Sequence, residues 1–347
     1  MRPPGAAAGV VTGVEALLLR HWWQPRRTWL ALLLQPLALL YGLLAALQSR
    51  RSAPQRAPVP ALVVGNVVVG GAGKTPTVIA LVQALQARGH RPGVLSRGYG
   101  RQDDGVREVM PTDAVAAVGD EPLLIARRTG VPVWVGRQRG AAARALCAQH
   151  PLVDVLVCDD GLQHHALARD AELLVFDDRG VGNGLLLPAG PLRERLPSAP
   201  GPRQRVLYTG TRASTPLAGH LARRQLTRAW PLADWHAGNA AQAVPLAALR
   251  GRRLLAAAGM AAPDKFFDML AAAGLRFERL PLPDHFAFDT LPWPTATAEV
   301  LVTEKDAVKL APQGPGATRV WVVPLDFSLP SALVDELQAL LFAPPRP

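Results

Sequence analysis

The sequence predicts an α/β protein with a doubly wound, mainly parallel sheet, built as two lobes behind an N-terminal membrane-associated helix. Short apolar runs recur along the chain, and stretches of about a dozen residues with helical periodicity separate them. This alternation is typical of βαβ units, whose parallel strands are covered on both faces. An uncharged, leucine-rich run near the N-terminus sets the first segment apart from the rest.

The apolar runs and the helical stretches can be placed along the chain. The predicted strands are 61–64, 92–95, 131–135, 153–158, 172–176, 205–208, 254–258, 300–303 and 320–323. The predicted helices are 75–88, 121–128, 137–148, 263–273 and 331–342. A chain of 347 residues is long enough for two such α/β domains.

The boundary between the two lobes is predicted from composition. The stretch "LPSAPGPRQR" at 196–205 is rich in proline, glycine and arginine. We therefore expect an N-terminal segment over 1–57, a first α/β domain over 58–200 and a smaller α/β domain over 201–347.

The N-terminal segment contains the uncharged run, residues 28–49. As one helix it would reach about 33 Å, which matches the hydrocarbon core of a bilayer. Gln35, Pro36 and Gly42 weaken the signal, and arginines flank both ends, so a single span and a bent insertion hinged near Pro36 both remain open. A buried core helix and a signal sequence are further alternatives.

Charge and cysteine content narrow the class of protein. The chain has 38 Lys and Arg against 27 Asp and Glu, a net charge of +11, and residues 1–60 hold seven of the arginines against one acid. This local excess favours an anionic membrane surface, and nothing indicates a nucleic acid or an obligate protein partner. Cys147 and Cys158 alone predict neither a disulfide framework nor a metal site.

The stretch "GNVVVGGAGKTP" at 65–76, here called the phosphate loop, resembles a phosphate-binding loop, although Val68 stands where the first glycine is expected. It follows a predicted strand and opens a predicted helix, as such a loop requires. Gly70, Gly71, Ala72 and Gly73 would let backbone N–H groups approach the phosphates of ATP, Lys74 would add a charge, and Thr75 would offer its hydroxyl to Mg²⁺. The alternative is a glycine-rich turn between a strand and a helix. The first α/β domain is thus predicted to be P-loop NTPase-like.

A pair of aspartates, Asp159 and Asp160, ends the apolar run at 153–158. Carboxylates at the carboxyl end of a strand beside a phosphate loop are placed to hold Mg²⁺. Adjacent residues of a strand point to opposite faces, so the two side chains cannot have the same role. The alternative is a turn with solvated acids.

These stretches belong to an ordered set of motifs. With the phosphate loop, the set comprises "LSRGYGR" (95–101), "VGDEP" (118–122), "DDGLQH" (159–164), "LPAGPLRE" (187–194), "PDHFAF" (283–288) and "TEKDAVK" (303–309). In this order, behind an apolar N-terminal segment, the chain resembles the tetraacyldisaccharide 4'-kinase family of lipid A biosynthesis. The resemblance implies ATP- and Mg²⁺-dependent phosphorylation of the 4'-hydroxyl of a tetraacylated glucosamine disaccharide 1-phosphate. It also implies a peripheral, monotopic or single-span enzyme at the cytoplasmic face of the inner membrane.

The resemblance also implies roles for single residues. Lys74 and Thr75 correspond to the phosphate-loop pair of the family, and the two aspartates correspond to its metal-binding pair. Glu194 corresponds to an acid that helps to hold Mg²⁺, with Arg193 beside it near the phosphates. Asp120 corresponds to the base that accepts the proton of the sugar hydroxyl, and His285 to the histidine partner of that base.

Several of these residues have simpler interpretations from the sequence alone. Asp120, two residues before Pro122, is typical of a helix start. His285 is typical of a loop residue, and Arg193 and Glu194 are typical of a solvated ion pair. "TEKD" is one residue short of the spacing of a guanine-reading motif and either borders the nucleotide or starts a helix. For the whole chain, the rival hypotheses are a membrane-recruited switch ATPase and a lipid-binding scaffold.

Overall fold

The computed structural model describes residues 13–24, 26–51, 54–314 and 316–342, so residues 1–12, 25, 52 and 53 of the predicted N-terminal segment lie outside the described ones. The helices are α1 (Gly13–Trp22), α2 (Trp29–Leu33), α3 (Gln35–Arg51), α4 (Lys74–Ala87), α5 (Val115–Val118), α6 (Asp120–Thr129), α7 (Arg139–Gln149), α8 (Leu232–Ala237), α9 (Pro263–Ala272), α10 (Glu304–Ala307) and α11 (Ser331–Leu341). The strands are β1 (Ala61–Gly65), β2 (Pro92–Ser96), β3 (Arg107–Glu108), β4 (Val133–Val135), β5 (Val155–Asp159), β6 (Ala171–Phe176), β7 (Gln204–Tyr208), β8 (His220–Leu221), β9 (Arg223–Gln225), β10 (Arg228–Pro231), β11 (Val244–Pro245), β12 (Leu254–Ala258), β13 (Phe277–Pro281), β14 (Glu299–Thr303), β15 (Arg319–Val323) and β16 (Asp326–Ser328).

By their internal contacts these elements form two compact units. The smaller unit is Arg224–Phe327, and the larger unit holds the described residues of 11–223 and 328–347. The chain leaves the larger unit within β9 and returns within β16, and these two strands pair with each other.

The predicted boundary near residue 200 differs from this division. The proline-rich stretch at 196–205 covers the end of the connection from β6 to β7 and the first two residues of β7, and these two strands are parallel neighbours in one sheet. Such a stretch serves a helix-free crossover as well as it serves a linker, so composition alone does not separate the two.

The sheet of the larger unit has eight strands in the order β3-β4-β2-β5-β1-β6-β7-β8. All its pairings are parallel except that of β3 with β4. The chain moves outward from β1 to β2, returns to β5 beside β1, and then crosses to β6 on the other side of β1. This reversal opens a crevice at the carboxyl ends of β1 and β5, where ligands of such sheets bind.

The core of the larger unit covers both faces of this sheet. Every residue of β1 is buried, although successive side chains point to opposite faces. Helix α4 packs against α6 and α11, and α7 packs against β2 and β4. The α/β fold with a mainly parallel sheet is therefore as the sequence predicts, and each predicted strand and helix overlaps an observed one.

The smaller unit has its own sheet, in the order β11-β10-β15-β14-β12-β13. Its central strands are parallel, whereas β10 pairs antiparallel with β11 and β15. A separate hydrophobic cluster includes Phe267, Leu270 and Trp321. The unit thus has a core of its own, as a domain requires.

The N-terminal segment is broken where the sequence predicts a hinge. Helix α2 ends before Leu34, and α3 starts at Gln35, directly before Pro36. Proline is tolerated in the first helical turn because its missing N–H has no intrahelical partner there. None of the helices in the described ranges is both long and apolar enough to cross a membrane. The core-helix alternative is wrong, because Leu37, Leu40 and Leu44 are each more than half exposed.

Candidate active site

The phosphate loop connects β1 to α4 in the larger unit. Gly70 and Gly73 have positive φ angles, +86° and +85°, which favour glycine. A Cβ at Gly73 would lie 3.2 Å from the side chain of Thr209, whose hydroxyl donates to the carbonyl of Ala72 at 2.9 Å. The loop is therefore held in a glycine-dependent turn at the N-terminus of α4, where backbone N–H groups favour an anion.

Val68 departs from the usual glycine pattern for a reason that the structure supplies. Its side chain is fully buried in the hydrophobic core, and its backbone forms an antiparallel bridge with Leu192. Arg193 N–H donates to the carbonyl of Val67 at 2.7 Å, and Val69 N–H donates to that of Pro191 at 2.9 Å. A buried side chain in extended pairing has no need of glycine, and this pairing brings the motif at 187–194 against the loop.

Lys74 is the first residue of α4, and its side chain is 11% exposed. Its Nζ donates to Oδ1 of Asn66 at 3.1 Å and lies 3.5 Å from Oδ1 of Asp160. Asn66 in turn donates to the carbonyl of Gly70 at 3.1 Å. The lysine charge is thus held at a fixed point beside the loop.

Asp159 and Asp160 lie at the carboxyl end of β5, next to β1, and face different partners. Asp160 has a positive φ of 47°, and Oδ1 of this residue lies 3.6 Å from Nη1 of Arg193 as well as near Lys74. The buried Asp159 accepts a hydrogen bond from the Ser96 hydroxyl at 3.3 Å. The two carboxylates therefore have different surroundings, and the expectation that they do not share a role stays a prediction.

The pKa of Asp159 is raised from 3.8 to about 7, first by burial and then by the charges of Glu121 and Asp160, whereas Lys74 and Arg139 oppose the shift. Oδ1 of Asp159 is buried, as is Oε1 of Glu194, and neither has a hydrogen-bond partner among the described residues. Such carboxylate oxygens are ligands that suit a hard divalent cation. Across the described ranges, Asp159, Asp160 and Glu194 nevertheless do not form one compact set of ligand atoms.

The raised pKa of Asp159 predicts a pH dependence of stability in metal-free protein. Folding favours the neutral carboxyl, so this stabilisation is fully present below the unfolded value of 3.8 and is lost as pH rises through about 7. We expect the free energy of unfolding to fall by roughly 4 kcal/mol across that window and Asp159→Asn to remove this part of the slope. Urea denaturation at a series of pH values measures this dependence of the free energy of unfolding on pH. Asp103→Asn, at an exposed position, is the matched control, and a slope unchanged in Asp159→Asn would contradict the prediction.

Asp120 is the first residue of α6 and is 4% exposed. Its Oδ1 accepts from the N–H of Glu121 at 2.9 Å, and the cap position itself belongs to Gly119. Glu121 is close enough to raise the pKa of Asp159 by its charge. The motif at 118–122 therefore lies at the same edge of the sheet as the aspartates.

His285 belongs to the smaller unit, in the loop after β13, with a φ of 58°. Its N–H donates to Oδ1 of Asp284 at 3.0 Å, and Nζ of Lys305 lies 3.4 Å from its Nε2. Lys309, buried beside Asp306, donates to the carbonyl of Phe286 at 3.1 Å. The "TEKD" stretch starts a helix, which was one of its two predicted roles, because the Thr303 hydroxyl caps α10.

Four polar residues of the site escaped the sequence analysis. Arg179 donates to the carbonyl of Gly71 at 2.7 Å and pairs with Asp177 at 2.9 Å. Gln163 donates to the carbonyl of Asn66 at 3.2 Å and accepts from Arg193 at 3.3 Å. Asn66 lies in the phosphate loop and Gln163 in the motif at 159–164, so their positions in these motifs could have identified them. Arg179 and Arg139 stand in stretches with no such signal.

The N-terminal segment contacts the loop that carries Arg193. The Tyr41 hydroxyl donates to the carbonyl of Arg193 at 3.2 Å, and the Trp22 indole donates to that of Pro188 at 2.8 Å. The guanidinium of Arg179 stacks over Trp23, 4.3 Å from the ring centroid. The segment is therefore packed directly on the loop that borders the candidate site.

Comparison with known proteins gives concordant results. A family model described as tetraacyldisaccharide-1-P 4'-kinase, LpxK, matches residues 30–341. A tetraacyldisaccharide 4'-kinase of Leptothrix cholodnii is 53% identical over 320 residues, which cover 89% of this chain and 91% of the relative. One of Methylibium petroleiphilum is 52% identical over 339 residues, 94% of each chain. The crystal structure of LpxK from Aquifex aeolicus in complex with ATP has a TM-score of 0.72 and 26% identity, and covers 90% of this chain and all of that one.

Proposed function

The chain belongs to the tetraacyldisaccharide-1-P 4'-kinase family, and we propose that its kinase reaction takes place at the carboxyl ends of β1 and β5. It is an ATP-dependent kinase of lipid A biosynthesis. The observation that carries the proposal is the convergence of Lys74, Arg193 and Asp160 beside the phosphate loop, with separations of 3.5 and 3.6 Å.

The residues present fit both ATP and Mg²⁺. The glycine-dependent turn at Gly70–Gly73 leaves backbone N–H groups for the phosphates at the start of α4. The hydroxyl of Thr75, with Asp159 or Asp160 and with Glu194, would hold Mg²⁺, and the unpartnered carboxylate oxygens support this assignment. The ion would neutralise charge on the transferring phosphoryl group.

The protein's own residues then carry the transfer. Lys74 and Arg193 stabilise the negative charge on the phosphoryl group that leaves ATP, in a site where these side chains are already fixed. The 4'-oxygen of the acceptor forms the new bond to phosphorus, the bond to the ADP oxygen breaks, and Asp120 accepts the hydroxyl proton. His285, on the smaller unit, would share that proton. Alignment supplies much of the rate, because phosphoryl transfer needs little covalent help.

One experiment separates this function from the switch and scaffold hypotheses. Purified full-length protein is incubated with ATP labelled in the γ-phosphoryl group and the tetraacyldisaccharide 1-phosphate. We expect the label on the 4'-oxygen of the lipid, with ATP turnover that requires this acceptor. Turnover without an acceptor would support the switch ATPase, and absence of ATP binding would support the scaffold.

We also propose that the N-terminal segment attaches the enzyme to the anionic cytoplasmic face of the inner membrane. Leucines at 32, 33, 37, 39, 40, 43 and 44 are each more than half exposed, as is Trp29. Exposed apolar surface of this extent marks an interaction site. The segment also contacts the loop of Arg193, which would place the lipid surface beside the reaction.

Membrane attachment through this surface predicts that charged substitutions on it weaken vesicle binding. The double variant Leu40→Glu/Leu44→Glu should bind anionic phospholipid vesicles at least tenfold more weakly, because each buried leucine contributes about 1.5–3 kcal/mol. Vesicle co-sedimentation measures the binding. Leu152→Glu changes another exposed leucine of the same unit and is the matched control. Equal binding by the double variant and this control would refute the attachment.

A further inference from the structure

A cavity of about 200 Å³ lies beside the N-terminus of α7, among residues that have no role in the proposed reaction except for one contact with Asp159. Its lining includes three arginines and a histidine, namely Arg137, Arg139, Arg144 and His164, together with Gln55 and Gly140. The volume is enough for several water molecules at about 30 Å³ each, and so for one phosphate group.

The electrostatics of the cavity favour an anion. No residue of its described lining is acidic. Arg137 pairs with Asp104 at 2.7 Å where both side chains are largely exposed, and the carboxylates of Asp159 and Asp160 act on Arg139 from the end of β5. The pKa of His164 is lowered, first by burial and then by the charges of Arg139 and Arg169. Burial disfavours any charge, whereas the guanidinium charges that add to this shift favour a bound anion.

The fold holds the hydrogen-bond donors at this cavity in place. Arg139 is 3% exposed, and its Nη1 is buried without a hydrogen-bond partner among the described residues. Helix α7 has eleven residues, and its N-cap residue Gln138 makes no side-chain cap. A Cβ at Gly140 would clash with Oε1 of Gln55, which accepts from Nη1 of Arg144 at 2.9 Å. A helix N-terminus and a buried, incompletely bonded guanidinium thus share one cavity.

The cavity is connected to the reaction through Arg139. Nη2 of this residue donates to the carbonyl of Asp159 at 2.9 Å, at the end of β5. On another side, Gln55 follows α3 closely in the chain. The cavity therefore borders both the strand end that carries the aspartates and the residues that follow the N-terminal helices.

From these observations we infer that the cavity binds a phosphate monoester, and that in the enzyme's own reaction this is the 1-phosphate of the lipid acceptor. This inference rests on the proposed function, which requires an acceptor with a phosphate at one end and the reacting hydroxyl at the other. Free inorganic phosphate has the same chemistry and is the alternative source. Three guanidinium groups around one helix N-terminus match a dianion better than a neutral sugar hydroxyl.

The test compares two acceptors, the tetraacyldisaccharide 1-phosphate and the same lipid without its 1-phosphate. In Arg144→Gln, and more strongly in Arg137→Gln/Arg144→Gln, the KM for the phosphorylated acceptor should rise about tenfold or more. The KM for the acceptor without phosphate, and that for ATP, should stay within twofold. Arg144→Lys should recover part of the loss, and Arg212→Gln, at an exposed position of the same unit, is the matched control.

Calorimetry distinguishes the two sources of phosphate. Inorganic phosphate is titrated into wild type and Arg144→Gln with the phosphate loop filled by a non-hydrolysable ATP analogue. Binding that is lost in the variant, with unchanged acceptor KM, would confirm the anion site but assign it to free phosphate. If the variants leave the acceptor KM unchanged and wild type binds no inorganic phosphate, the inference is overturned. If wild type phosphorylates neither acceptor, the proposed function fails, and the calorimetry still tests the cavity.

Discussion

Lys74→Met should lower kcat for transfer to the lipid acceptor by about 10²–10³-fold, as loss of a preorganised charge at a developing oxyanion does. The lysine Nζ is fixed by Asn66 at 3.1 Å and lies 3.5 Å from Asp160, so its charge needs no rearrangement when the phosphoryl group moves. Removal also leaves Asp160 paired with Arg193. Steady-state kinetics with saturating lipid and ATP measure the loss.

Two controls show whether the effect belongs to this position. Lys265→Met removes a lysine of the smaller unit and should leave kcat within twofold. Lys74→Arg keeps the charge but replaces a compact ammonium with a planar fork, and it should restore only a small part of the activity. Activity close to wild type in Lys74→Met would exclude the lysine from the site.

Asp120→Ala should lower kcat by about 10²–10⁴-fold, the range for loss of a general base, and change the affinity for ATP little. Asp120 is buried at the start of α6, and its neighbour Glu121 acts electrostatically on Asp159, so this helix start borders the aspartates. A carboxylate there can accept the proton of a hydroxyl that approaches the phosphoryl group. The kcat and an independent nucleotide dissociation constant are measured together.

Glu121→Gln is the matched control for this prediction because it neutralises the adjacent carboxylate. It should lower the pKa of Asp159 and cost much less activity than Asp120→Ala. An unchanged kcat in Asp120→Ala would remove this residue from the mechanism. A loss of ATP binding instead would reassign Asp120 to the nucleotide or its metal.

The strands and helices of the core could be predicted from the sequence because burial dictates their pattern. Runs such as 61–64 and 254–258 are apolar throughout, since both faces of a parallel sheet are covered. Two-residue strands such as β3 and β8 could not be predicted, because so short a run has no period. The boundary between the units could not be predicted for a similar reason, since it falls within β9 and β16 and no change of composition marks it.

The site was predictable only in part. Lys74, Asp159 and Asp160 stand in local motifs whose chemistry is visible in the sequence, and the structure brings Lys74 and Asp160 together. Arg193 reaches Asp160 because Val68 pairs with Leu192, a contact between residues far apart in the chain. Arg139 was missed because its role depends entirely on tertiary burial at the end of β5.

In the proposed reaction the γ-phosphoryl group, held at Lys74, passes directly and in line to the acceptor hydroxyl. The most direct test is the stereochemical course at phosphorus, followed with ATP whose γ-phosphoryl group is made chiral with oxygen isotopes. A single in-line displacement predicts inversion of configuration in the phosphorylated lipid. Retention would show an intermediate phosphorylated enzyme and would contradict the arrangement proposed for Lys74, Asp120 and the lipid.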